Sequence, residues 1–259
     1  IVGNGFKFIR NGGPIDKQNI KKAIEGSLKR LKTDYIDLYQ LHWPNRGSYH
    51  FRAYWNYKPT PYSEEKIFNE ASEIIDTLYD YKKKGIIRTI GLSNETCWGT
   101  MKYCQKMKSY DNFCIASIQN EYSLMCRLFD NDFNELAINE NIHLLAYSPL
   151  ARGLLTGKYI NNTIPEGSRL SRDDKIKKIK NVNSDNAVRE YLNVAKKYEI
   201  DPVHMSLAFC NERPFMGSVI FGATNIDQLK RILSGVYLKL SDEINQELND
   251  LYKKYPMTF

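Results

Sequence analysis

The sequence predicts an α/β fold assembled from parallel βαβ units. Short β-prone runs alternate with segments whose apolar residues recur at helical spacing, and each short run ends on polar or aromatic residues. The length points the same way: the chain has 259 residues, and a barrel of eight βα units needs roughly 250.

The elements follow in order. Ile20, Ile24, Leu28 and Leu31 recur at helical spacing behind Asp16, a suitable N-cap. Residues 35–41 (Tyr-Ile-Asp-Leu-Tyr-Gln-Leu) read as a strand stopped by His42-Trp43-Pro44. A second helix is capped by Ser63, with Glu64 and Glu65 at its positive end and Lys82, Lys83 and Lys84 at its negative end before Gly85. Its buried stripe is expected at Ile67, Ala71, Ile74, Leu78 and Tyr81. Strands at 86–92, 115–119 and 143–147 then alternate with helices at 96–109 and 130–139. Residues 148–183 form a long irregular segment with Gly153, Gly157, Pro165 and Gly167, a length that in a compact domain marks function or mobility. Helices follow near 187–198 and after Asp201-Pro202, then a strand at 218–221 and helices at 225–233 and 241–255. With no fixed-period repeat, low-complexity tract or linker, residues 1–259 read as a single domain.

Composition narrows the function classes. The chain is 42% hydrophobic and 26% charged, a globular balance that excludes disorder. No apolar run reaches the ~18 residues of a membrane span. The opening Ile1-Val2-Gly3-Asn4 lacks a secretory layout, so the expectation is a cytoplasmic protein without a membrane partner. The net charge of +7 reads as a lysine-rich solvated surface in preference to a nucleic-acid patch. The densest cluster, Lys175, Lys177, Lys178 and Lys180, has no aromatics for base stacking. Five cysteines, scattered and never spaced C-x-x-C, indicate reduced thiols. The four histidines share no ligand spacing, so no metal is expected.

Active groups of parallel α/β folds lie at the carboxyl ends of strands. Those ends carry His42-Trp43-Pro44, Ser93-Asn94, Gln119-Asn120, Tyr147-Ser148-Pro149 and Gly222-Ala223-Thr224. One polar residue at a strand end simply starts a loop, but five such ends are harder to dismiss. His42 is structural or catalytic, with Trp43 a flat apolar wall beside it. Tyr147 is a core tyrosine or a stacking platform. Gly222 before a helix offers a tight turn and free N–H groups to a phosphate. G-x-G-x-x-G, G-x-x-x-x-G-K-[ST] and G-x-S-x-G motifs are all missing, which argues against a Rossmann site, a phosphate loop and a nucleophile elbow.

The same strand ends resemble the aldo-keto reductases, NADPH-dependent (β/α)8 barrel enzymes. The matching text is Ser27–Leu31 leading through residues 34–44, then Gly91-Leu92-Ser93-Asn94, Ile118-Gln119-Asn120, residues 146–150, Gly157-Lys158-Tyr159 and Gly222-Ala223-Thr224. The long loop after Tyr147 is similar to the branch that includes potassium-channel β subunits. By this resemblance His42 is the catalytic histidine that orients the substrate carbonyl, with Trp43 beside the substrate. Ser93, Asn94 and Gln119 bind the nicotinamide carboxamide, and Tyr147 stacks on the ring. Ser148, Leu150, Lys158 and Arg169 wrap the pyrophosphate, while Gly222, Thr224 and Gln228 hold the adenosine-phosphate end. Arg231 and Ile232 stand where that branch has an acid and an asparagine; Arg231 suits a 2′-phosphate.

The family's catalytic Asp, Tyr and Lys fall before Ile1 by this register. The expectation is therefore a TIM barrel lacking its N-terminal strands, with about five of eight βα units and open strand edges. The function implied is NADPH-dependent reduction of an aldehyde or ketone by the complete protein. The alternative is an NADPH-binding regulatory or inactive relative, and a nucleic-acid binder rests on net charge alone. The aromatic insertion Tyr49, Phe51, Tyr54, Trp55, Tyr57 and Tyr62 lines a substrate mouth or forms a packed surface flap.

Overall fold

A computed structural model describes residues 10–161, 163–172 and 179–258. The chain divides into two compact units, one of Ile1–Asn120 and Asp132–Leu144, the other of Glu121–Asn131 and Leu145–Phe259. The strands are ordered as in the sequence, β1 (Ile36–Leu41), β2 (Ile87–Ser93), β3 (Ile115–Gln119), β4 (His143–Tyr147) and β5 (Met216–Ile220). Five strands among the described residues match the five expected, and β1 through β4 pair in parallel.

In the first unit the register positions the site. Leu41 pairs with Leu92 and Ser93 with Gln119, so β1, β2 and β3 run out at one level. The helices are α1 (Lys17–Leu31), α2 (Glu64–Lys83), α3 (Cys97–Met107) and α4 (Asp132–Asn139). Asp16 caps α1 by accepting from the Asn19 N–H at 2.7 Å, and Ser63 caps α2 through the Lys66 N–H at 3.2 Å. Helix α2 packs on α1, α3 and β2 and buries Ile67, Ala71, Ile74, Ile75 and Leu78. Tyr81 of the expected stripe is only half-buried, because the helix turns its inner face further toward Ile75. Helix α1 buries Ile20 and Ile24 alone; Leu31 is 65% exposed in the last turn, just before Lys32 takes a left-handed conformation.

The second unit contains the short helix α5 (Arg169–Arg172), then α6 (Val182–Lys197), α7 (Pro202–Asn211), α8 (Ile226–Ser234) and α9 (Asp242–Lys254). Helix α6 starts five residues before the expected 187, because Asn181 and Ser184 form a reciprocal capping box. Its core is aromatic: Tyr122 stacks on Phe209 at 6.1 Å and meets Phe215 edge-on at 5.5 Å. Arg127 lies between the Phe209 and Tyr252 rings and pairs with Asp130 at 2.5 Å. Strand β5 begins two residues earlier than expected and is largely exposed. Of the basic cluster, residues 175–178 lie outside the described residues; Lys180 pairs with Asp185 at 2.5 Å. No described helix is long and apolar enough to cross a membrane, and no described group of His, Cys, Asp or Glu is arranged to hold a metal.

Candidate active site

The first unit brings together His42, Trp43, Ser93, Asn94 and Gln119. Because β1 and β2 end level, the chain leaves them side by side at His42 and Ser93. Asn94 takes φ 53°, a left-handed conformation that asparagine tolerates, and this turn aims its side chain back across the strand ends. Its Nδ2 donates to the His42 carbonyl at 2.9 Å and to Ser93 Oγ at 3.0 Å. Ser93 Oγ donates to the Gln119 carbonyl at 2.8 Å, and the Asn94 N–H to the same carbonyl at 3.1 Å. These bonds tie three strand ends into one polar frame.

His42 is half-buried, and burial lowers its pKa, so the neutral imidazole is favoured. Its ring lies 4.2 Å from that of Trp43, and its buried Nδ1 has no hydrogen-bond partner among the described residues. A buried ring nitrogen left unsatisfied among well-bonded neighbours is where a polar ligand group fits.

Four further residues support this frame: Asn120, which sequence reasoning noted at a strand end without giving it a role, and three that it missed. Asn120 is buried and its Oδ1 accepts from the Asn94 N–H at 2.8 Å. Glu95 is 2% exposed and pairs with the buried Arg46. Arg46 also donates to Thr96 Oγ1 at 3.1 Å and lies over the Trp98 ring at 5.1 Å. Burial acts against the charge on Arg46, but Glu95 outweighs it and raises the guanidinium pKa. The sequence signal is Glu95-Thr96-Cys97-Trp98-Gly99: Thr96 caps α3, and a Cβ on Gly99 would collide with both Arg46 and Glu95.

His50 is the fourth. It is buried, with Nε2 donating to the Glu95 carbonyl at 2.9 Å, and burial pushes its pKa down to about 4 despite that bond. In the unfolded chain the ring titrates near 6.5. Between those values the unfolded state holds a proton that the folded state lacks, so stability falls as pH drops, with a slope approaching about 1.4 kcal/mol per pH unit. His50→Gln keeps a donor and removes the titration. Urea unfolding should show the wild type losing its advantage over the variant from about pH 6.5 to pH 4; parallel curves would refute this.

The second unit holds the other expected residues. Tyr147 is half-buried at the end of β4, and its carbonyl accepts from the Tyr122 N–H at 3.2 Å. Ser148 begins a cramped loop: Ser148, Ala151 and Arg152 all have positive φ, as do Gly153 and Gly157. Left-handed non-glycine residues are costly, so the packing around this loop must hold them in place. Leu150 accepts through its carbonyl from the N–H groups of Gly153 at 2.8 Å and Leu155 at 3.3 Å. Lys158 and Arg169 are exposed. Thr224 donates through its N–H and Oγ1 to Gln228 Oε1 at 3.0 and 3.1 Å, and Asn225 caps α8 through the Gln228 N–H at 2.9 Å.

Three details of the sequence reading change here. Gly222 is not left-handed and a Cβ there would meet nothing, so the residue leaves open space before α8 without being needed for a tight turn. Arg231 is engaged by Asp201 in a bidentate pair at 2.7 and 2.9 Å, and Ile232 is buried. The irregular segment contains a 3-10 stretch at Ala151–Thr156 as well as α5.

Together the parallel βα units and the polar strand ends define a TIM-barrel-like α/β enzyme. The Aldo/keto reductase family matches residues 10–253. Protein tas of Escherichia coli (strain K12) is 37% identical over 252 residues, covering 97% of this chain and 72% of that protein. A probable voltage-gated potassium channel subunit beta of Arabidopsis thaliana is 27% identical over 239 residues, covering 86% of this chain and 64% of its own length. In fold the chain is similar to a glycerol dehydrogenase from Gluconobacter oxydans, with TM-score 0.71, 24% identity, and coverage of 95% of this chain and 67% of that one. The chain belongs to the aldo/keto reductase family, oxidoreductases that use NAD(P)H on small-molecule carbonyl compounds.

Proposed function

We propose that the complete protein reduces an aldehyde or ketone with NADPH and that residues 1–259 act as one barrel-type domain. The observation that carries this reading is the neutral His42, with an unsatisfied buried Nδ1, in the frame of Ser93, Asn94 and Gln119. The residues present fit the cofactor's phosphate end: the open space at Gly222 precedes the capped N-terminus of α8. Bound NADPH supplies the hydride. Ser93, Asn94 and Gln119 would hold the carboxamide, Tyr147 would stack on the ring, and Ser148, Leu150, Lys158 and Arg169 would wrap the pyrophosphate. Gly222, Thr224 and Gln228 would receive the adenosine phosphate.

His42 acts on the carbonyl oxygen. A neutral imidazole carries one N–H, which would donate to that oxygen and draw charge from the carbonyl carbon. Trp43 forms the flat side of the substrate site. The resemblance gives the general acid to an Asp, Tyr and Lys set that residues 1–259 do not match. The expected setting is cytoplasmic, without nucleic-acid or membrane partners.

The test is a titration and an assay of the complete polypeptide. NADPH fluorescence should change on binding, and NADPH should be oxidised with a panel of aldehydes. Binding without turnover would select the regulatory alternative; no binding would remove both readings.

A further inference from the structure

Asn120 brackets a left-handed residue of the candidate site from the neighbouring strand end. We propose that it is a positioning residue whose side-chain amide fixes Asn94 in the conformation that receives the nicotinamide cofactor, an inference that rests on the reductase reading above. Beyond the end of β2, the Asn94 N–H donates to the Gln119 carbonyl at 3.1 Å. The Asn120 side chain adds one more rung to this ladder. Its Oδ1 accepts from the same Asn94 N–H at 2.8 Å, and its Nδ2 donates to the Glu95 carbonyl in a longer bond of 3.5 Å.

Asn94 needs such a hold. Its φ of 53° is sparsely populated by non-glycine residues, and asparagine ordinarily reaches it by bonding its side chain to nearby backbone. Here the Asn94 amide is turned to other partners. Both Nδ2 bonds leave its own backbone, one to the His42 carbonyl at 2.9 Å and one to Ser93 Oγ at 3.0 Å. The backbone of residues 94 and 95 is held from outside instead, by Asn120 and by His50, whose Nε2 reaches the Glu95 carbonyl at 2.9 Å. Asn94, Glu95 and Asn120 are 1%, 2% and 1% exposed, so these bonds form away from solvent, where a hydrogen bond is electrostatically stronger.

Without the Asn120 amide, Asn94 relaxes toward negative φ. Its side chain then swings off the His42 carbonyl and out of line with Ser93 and Gln119. Cofactor binding would have to restore that arrangement, and affinity falls by the free energy of doing so. Asn120 thus acts on the cofactor through Asn94 without touching it.

The complete protein and its Asn120→Ala and Asn120→Asp variants should be titrated with NADPH by fluorescence. Asn120→Ala removes both bonds and should raise the NADPH Kd at least tenfold. Asn120→Asp keeps an oxygen that accepts from the Asn94 N–H and should stay within threefold of wild type. An unchanged Kd in Asn120→Ala, or equal weakening in both variants, would overturn the inference. A double-mutant cycle with Asn94→Gly, read by urea unfolding without cofactor, tests the same contact independently of NADPH. Glycine takes φ 53° without strain. Asn120→Ala should therefore raise the unfolding constant by a factor at least five times smaller in the Asn94→Gly protein than in wild type. Equal factors in the two backgrounds would overturn the bracket. A wild type that fails to bind NADPH while the cycle still shows this coupling would instead count against the reductase reading.

Discussion

Glu95→Ala is expected to lower the unfolding free energy by about 3–5 kcal/mol, because it strands the Arg46 guanidinium in the interior. The side chains of Arg46 and Glu95 are 6% and 3% exposed, and arginine cannot shed its charge. The opposite truncation is milder. Burial already pushes the Glu95 carboxyl up against the pull of Arg46 and Thr96, so in Arg46→Met the orphaned acid protonates and escapes most of the penalty. Gly99→Ala should resemble Glu95→Ala, since the added methyl displaces the same pair. Urea denaturation at neutral pH measures all three. A cost for Glu95→Ala within about 0.5 kcal/mol of zero, or one smaller than that of Arg46→Met, would show that the pair is not the buried anchor described.

His42→Ala should reduce kcat of the complete protein about 10²- to 10⁴-fold, the usual range for a positioned group that exchanges hydrogen bonds with the reacting atoms. NADPH affinity should change little, because the residues assigned to the cofactor are others. Burial lowers the His42 pKa, so the neutral ring persists as pH falls below 6.5 and the His42 contribution to the rate should fail only at lower pH. Stopped-flow or steady-state assays across pH 5–8 test this. A His42→Ala enzyme retaining more than a tenth of wild-type kcat would remove His42 from the chemistry.

The readable and the hidden parts of this site differ in physical kind. Local signals were legible wherever one short stretch of chain carried both cause and effect. Ser63 and the charges at the ends of α2 bound that helix, and Asp16 and Asp201 cap theirs, since a cap needs only the next three residues. His42, Ser93 and Gln119 were legible as strand ends for the same reason. Arg46, Glu95 and His50 were not. Residues 46 and 95 lie 49 positions apart, and nothing local announces that a charged pair will be buried there. Leu31 and Tyr81 failed in the opposite sense: helical periodicity names a face, but the packed neighbours decide how far that face extends.

The sequence by itself determined the class of fold, the order of its strands and helices, and the family, because periodicity, caps and strand-end motifs are written into adjacent residues. Tertiary structure alone decided that three strands of the first unit end level, that Asn94 ties His42 to Ser93, and that the insertion sets Phe51 edge-on to the imidazole. Those outcomes depend on register and on desolvation of distant charges, energies that exist only once separate parts of the chain have met.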